Sequence, residues 1–126
     1  MVTGRVVAHG AILKPVAEIA VYGRSNARAR VQAVIDTGFT GHMTLPIDAI
    51  RALNLTLVAE EEMTMANGET VIFEAYSALA DWHGQLRPVR VHCAEADPLI
   101  GMAMLRDHDL HVRVVPDGPV NIDPLA

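Results

Sequence analysis

Val34-Ile35-Asp36-Thr37-Gly38-Phe39-Thr40-Gly41 is the stretch that decides how this chain is read. Two apolar residues run directly into a carboxylate, followed by a small hydroxyl residue and a glycine where the chain must turn. A carboxylate at the end of a buried strand is partly desolvated, while backbone N–H groups of the following turn can donate hydrogen bonds to it. Glycine permits unusual backbone angles and lets another backbone approach closely. The pattern therefore suits a rigidly held carboxylate available for acid–base chemistry. Taken alone, the tripeptide Asp36-Thr37-Gly38 equally fits an ordinary turn in which the aspartate caps backbone N–H groups, so its surroundings must decide.

Upstream, Val16 to Val21 and Ala27 to Ile35 are apolar, β-branched segments separated by Tyr22-Gly23-Arg24-Ser25-Asn26. The intervening Gly, Ser and Asn are turn formers, which predicts a hairpin. Ala29, Val31, Ala33 and Ile35 alternate with Arg28, Arg30 and Gln32, the period of a half-buried strand. Downstream, Pro46 to Leu53 reads as a short helix. Proline suits its first position, Asp48 complements the dipole, Ile47, Ile50 and Leu53 share a face, and Asn54 is suited to a left-handed stop.

Farther on, Met63-Thr64-Met65 and Thr70 to Phe73 flank Ala66-Asn67-Gly68-Glu69, and Asn-Gly is a strong hairpin signal. Tyr76 to Trp82, His83-Gly84 and Leu86 to Cys93 predict another hairpin, with Pro88 at an edge or bulge. Met102 to His108 is expected to hold a short helical piece. Leu110 to Val115 and Val120 to Ile122 are expected to be strands around Asp117-Gly118-Pro119. Short strands with few helical runs predict a closed or partly closed β fold.

Composition narrows the function. The chain has 126 residues, 51% hydrophobic, with mean hydropathy +0.24, which matches one packed domain spanning 1–126. Net charge is −5, which gives no basic footprint for nucleic acid. Cys93 is the only cysteine, so no internal disulfide forms and a reducing compartment is compatible. No run approaches the roughly 18 apolar residues of a spanning helix, and the N-terminus lacks a signal-peptide pattern. A cytoplasmic protein with no membrane partner is expected.

Val34-Ile35-Asp36-Thr37-Gly38 resembles the active-site signature of aspartic peptidases. With Phe39-Thr40-Gly41 and then Met43-Thr44-Leu45-Pro46, it is similar to the bacterial and archaeal single-domain branch of the retropepsin-like clan. Two further elements fall in the family's order: Ala66-Asn67-Gly68 where its flap hairpin lies, and Pro98-Leu99-Ile100-Gly101 where an apolar-apolar-Gly motif closes a ψ-shaped crossing beside the catalytic loop. The resemblance spans about residues 16 to 115. It implies an all-β fold, a retropepsin-like acid-protease β-barrel with a flap hairpin and one or two short helices.

The resemblance also implies roles. Asp36 would be the catalytic residue of an aspartic endopeptidase that hydrolyses peptide bonds, with Thr37 and Gly38 supporting its loop. Gly38, Phe39, Ala66, Asn67, Gly68 and Ile100 would contact a peptide or protein substrate. The aspartic mechanism that the resemblance implies needs two carboxylates, one taking a proton from water while the other donates one. Only one Asp-Thr-Gly occurs in the chain, so a homodimer must supply the second Asp36 across a two-fold axis. Phe39 stands where retroviral enzymes carry Ala or Ser, and its bulk is expected to narrow the cleft. Phe39 and the single flap glycine keep open a rival reading: a weak or inactive domain that keeps the fold for dimerisation or peptide binding.

No cofactor and no metal are expected. His108 and His111 are spaced by three residues, but no Cys or second His pair completes a four-ligand set. His9, His42, His83 and His92 are expected at the surface or in turns. Glu60-Glu61-Glu62 is expected to be a solvated face, and Cys93 an unreactive thiol near a strand end.

Overall fold

The computed structural model describes residues 2–125. Its strands are β1 (Val2–His9), β2 (Ile12–Tyr22), β3 (Arg28–Ile35), β4 (Met43–Leu45), β5 (Thr56–Thr64), β6 (Thr70–Trp82), β7 (Gln85–Cys93), β8 (Leu99–Ile100), β9 (His108–Val112) and β10 (Pro119–Pro124). Two short helices interrupt them, α1 (Ile47–Ala52) and α2 (Met102–Leu105). The strand order is β5-β6-β7-β4-β8-β3-β2-β1-β10-β9. An additional β2–β6 pairing at Val21↔Ala80 and Tyr22↔Leu79 bends β6, β7, β4, β8, β3 and β2 back on themselves into a barrel. The fold is thus mostly β with two short helices, as the sequence predicts.

Alternation drives this layout. In β3, Val31, Ala33 and Ile35 are buried while Arg28, Arg30 and Gln32 are exposed. In β6, Tyr76, Ala78, Ala80 and Trp82 point into the same core. Met43, Leu45, Val91, Ile100 and Met104 complete the centre, each essentially without solvent contact. Burying side chains of this size contributes roughly 1.5–3 kcal/mol each, which offsets the entropy of ordering so many short strands.

Turn chemistry follows the residues. His83 (φ 56) and Gly84 (φ 79) are both left-handed, the two-residue hairpin loop whose twist matches its strands. Asn54 takes φ 54 and ends α1. Pro88 pairs with Leu79 on one side, whereas β4 reaches β7 only at Val91 to Cys93. Its missing N–H therefore leaves no gap in a ladder. Pro46 sits at the N-cap of α1 rather than inside it, and Glu95 Oε1 accepts the Ile47 N–H at 2.8 Å. A distant side chain thus satisfies one of the helix's free donors.

Two features depart from expectation. β1 extends the sheet before Val16, pairing with β2 and with β10. Helix α2 is shorter than Met102 to His108, because β9 already begins at His108.

The crossing of chains around β8 positions the site. β8 lies between β3 and β4, parallel to β3 (Val34↔Leu99, Ile35↔Ile100) and antiparallel to β4 (Met43↔Ile100, Thr44↔Leu99). The buried Thr44 Oγ1 accepts the Leu99 N–H at 3.0 Å, so the hydroxyl is paired inside the core.

Candidate active site

Asp36 follows immediately on β3. Its N–H donates to Ile100 O at 2.9 Å, which extends the β3–β8 ladder by one residue. Its Oδ1 accepts the Gly38 N–H at 2.8 Å, and its carbonyl accepts the Phe39 N–H at 3.1 Å. No other group among the described residues hydrogen-bonds the carboxylate, which leaves Oδ2 unengaged within the protomer. Asp36 is half-buried, whereas Thr37 and Gly38 are exposed. A Cβ on Gly38 would sit 3.1 Å from Asp36 Oδ1, so a side chain there would crowd the acid.

Phe39 is half-buried and packs against two glycines. A Cβ on Gly41 would meet its Cζ at 2.6 Å, and one on Gly101 would meet its Cδ2 at 2.5 Å. Its ring therefore lies over both glycines, edge-on to His92 with centroids 5.9 Å apart. Gly41, two residues on, and Gly101, far along the chain, clear a place for the half-buried ring. The expectation that the Ile100 side chain contacts substrate is corrected. Its side chain has no solvent exposure, and what it gives the site is the carbonyl that holds Asp36.

The loop is pinned further by Gly101 N–H to His42 O (2.9 Å), Met102 N–H to Phe39 O (2.8 Å) and Ala103 N–H to Gly41 O (3.1 Å). The first turn of α2 is thus tied to the Asp36 loop by its own free donors.

Ala66, Asn67 and Gly68 are exposed at the tip of the β5–β6 hairpin. Gly68 alone is left-handed (φ 87). Asn67 instead uses its side chain, with Oδ1 accepting the Glu69 N–H at 2.9 Å. β6 leaves β7 at Ala75↔His92, so Thr70 to Glu74 pair only with β5 and form a free two-stranded ribbon.

One group near the site is absent from the sequence reading. His92 is 3% exposed, not a surface residue, and its Nε2 lies 2.7 Å from Glu61 Oε2. Arg90 reaches the other oxygen of Glu61. The hydrogen bond from His92, then that from Arg90, hold the Glu61 carboxyl below its ordinary range against the opposing effect of burial. The middle of the acidic run is therefore a structural pair rather than a solvated face. The only hint in the sequence is alternation, which turns Glu61 away from Glu60 and Glu62. His42 is pushed below its ordinary value by burial, and then by Arg87, His92 and Arg90. Burial pushes the Cys93 thiol up, away from the thiolate a nucleophile needs. Elsewhere, Trp82 Nε1–H donates to His108 Nε2 at 3.0 Å, which occupies that histidine away from His111. No helix among the described residues is long and apolar enough to cross a membrane.

No protein-family model and no curated protein matches the sequence. Solved structures do. EIAV protease complexed with the inhibitor HBY-793 superposes with TM-score 0.56 at 14% identity, over 80% of this chain and 93% of that one. A retropepsin-like aspartic protease from Rickettsia conorii superposes with TM-score 0.54 at 14% identity, over 98% of this chain and 93% of that one. With the crossing at β8 and the loop it holds, these matches establish that the chain has the retropepsin-like fold.

Proposed function

We propose that the protein is an aspartic endopeptidase, active as a homodimer, in which Asp36 and its counterpart from a second copy share one water. The observation that carries this reading is the Asp36 carboxylate, half-buried and fixed through Oδ1 by Gly38, on the loop that the β8 crossing holds in a retropepsin-like fold. Two carboxylates so close share a proton, because both cannot ionise together. The protonated member donates to the substrate carbonyl while the ionised one takes a proton from water. Thr37 and Gly38, exposed beside Asp36, are the surface a second copy and a substrate backbone would meet. Ala66, Asn67 and Gly68 would cover bound peptide and exclude water. The lone Cys93 suits a reducing, cytoplasmic setting.

Purified protein incubated with unfolded casein between about pH 4 and 7 tests the proposal. Cleavage lost in Asp36→Asn is the expected result. Equal cleavage by both proteins, or none by either at concentrations where sedimentation finds dimer, overturns it.

A further inference from the structure

We propose that His92 is a positioning residue that couples the flap hairpin to the catalytic loop, through Glu61 on one side and Phe39 on the other; its catalytic meaning rests on the peptidase reading above. Glu61 lies opposite Phe73, in the part of the ribbon that has already left β7. Its side chain nevertheless reaches back past β6 to Arg90 and His92 on β7. That reach ties a free-standing ribbon to the barrel by side chains where no backbone ladder remains.

The other face of His92 touches the site. Its Nδ1 is buried without a hydrogen-bond partner and lies 3.2 Å from where a Cβ of Gly41 would be. Its ring meets the Phe39 ring at 89°. Phe39 in turn donates to the Asp36 carbonyl and accepts from Met102. Placing a histidine so deep with one nitrogen unsatisfied is unfavourable, and an apolar residue would fill the space without that penalty. A buried pair of this kind is weak evidence for added stability. Its geometry fits a link instead: a shift of the flap ribbon moves Glu61, Glu61 moves the His92 ring, and the ring presses on the residue that packs the catalytic turn.

Native-state hydrogen exchange on Glu61→Gln and His92→Phe tests this, with Glu61→Ala as a second variant at a position that leaves the core intact. Exchange should quicken about tenfold at residues 37–41 as well as in the flap ribbon, with β1 and β10 unchanged. On a peptide the parent protein cleaves, kcat should fall about tenfold with KM within about twofold. The double variant Glu61→Gln/His92→Phe should be no worse than the poorer single one. Unchanged exchange at 37–41 in the Glu61 variants, or additive effects in the double variant, overturns the link. The exchange measurement repeated in Asp36→Asn needs no activity, so a protein without peptidase function would fail the previous proposal and still decide this one.

Discussion

The Asp36 loop and the tip of the β5–β6 hairpin are both short turns between strands, yet they are built in opposite ways. Residues 36–41 are held from outside: by Ile100, by the first turn of α2 and by a ring seated on two glycines. Residues 65–69 are held only by themselves, through Met65 N–H to Glu69 O, Gly68 N–H to Met65 O and the Asn67 side chain. Every residue from Thr64 to Ile72 is exposed. On the proposed reading the difference has a use: a carboxylate meeting its twin at one distance would need a frame that cannot relax, and a cover that opens and closes would need few contacts to break.

That contrast can be broken at its glycines. Gly101→Ala is expected to have the largest effect, about 3 kcal/mol in chemical denaturation, because the new Cβ would lie 2.4 Å from Gly41 O. Backbone cannot step aside, so adding Phe39→Leu should restore little. Gly41→Ala meets mainly the Phe39 ring, and the same Phe39→Leu change should recover most of its loss. Equal rescue of both would mean that the ring, not the backbone, sets the tightness of the loop.

On the flap, Gly68→Ala places an L-residue at φ 87. It should cost about 1 kcal/mol, with hydrogen exchange in β1 and β10 left as it was. A change in those strands would show that the tip is not held by itself.

The smallest effect is on pH. Burial holds His42 and His83 neutral, below the ordinary value of 6.5. Unfolding lets them take up protons, so stability is whole above 6.5 and declines below it. Glu61 is held ionised, so its contribution is whole above its ordinary 4.5 and is lost as pH falls further. Melting temperature should be level above about pH 7, fall gently from there, and fall faster below 4.5. A midpoint unchanged between about pH 7 and 5 would remove the histidines from that account.

Much of this was legible in residue order. Alternation and turn residues mark the three central hairpins, and Asn54 marks the end of α1. Asp36-Thr37-Gly38 with Leu99-Ile100-Gly101 marks the crossing. What was hidden depends mostly on partners remote in sequence. That the Phe39 ring rests on Gly101 as well as on nearby Gly41 shows only in the folded chain. His92 sits among alternating residues that do not reveal its neighbour on β5, and Glu61 is masked by an acidic residue on either side. β1 escapes notice because Thr3, Gly4 and Arg5 dilute its apolar pattern.

The hydrogen bond from Asp36 to Ile100 carries a consequence for synthesis. The loop is completed by β8, which lies far beyond Asp36 in the chain, so a ribosome-bound nascent polypeptide ending before Leu99 has its acid but not the frame around it. Closing so long a loop costs more entropy than closing a hairpin, so the frame is expected to form after the local hairpins.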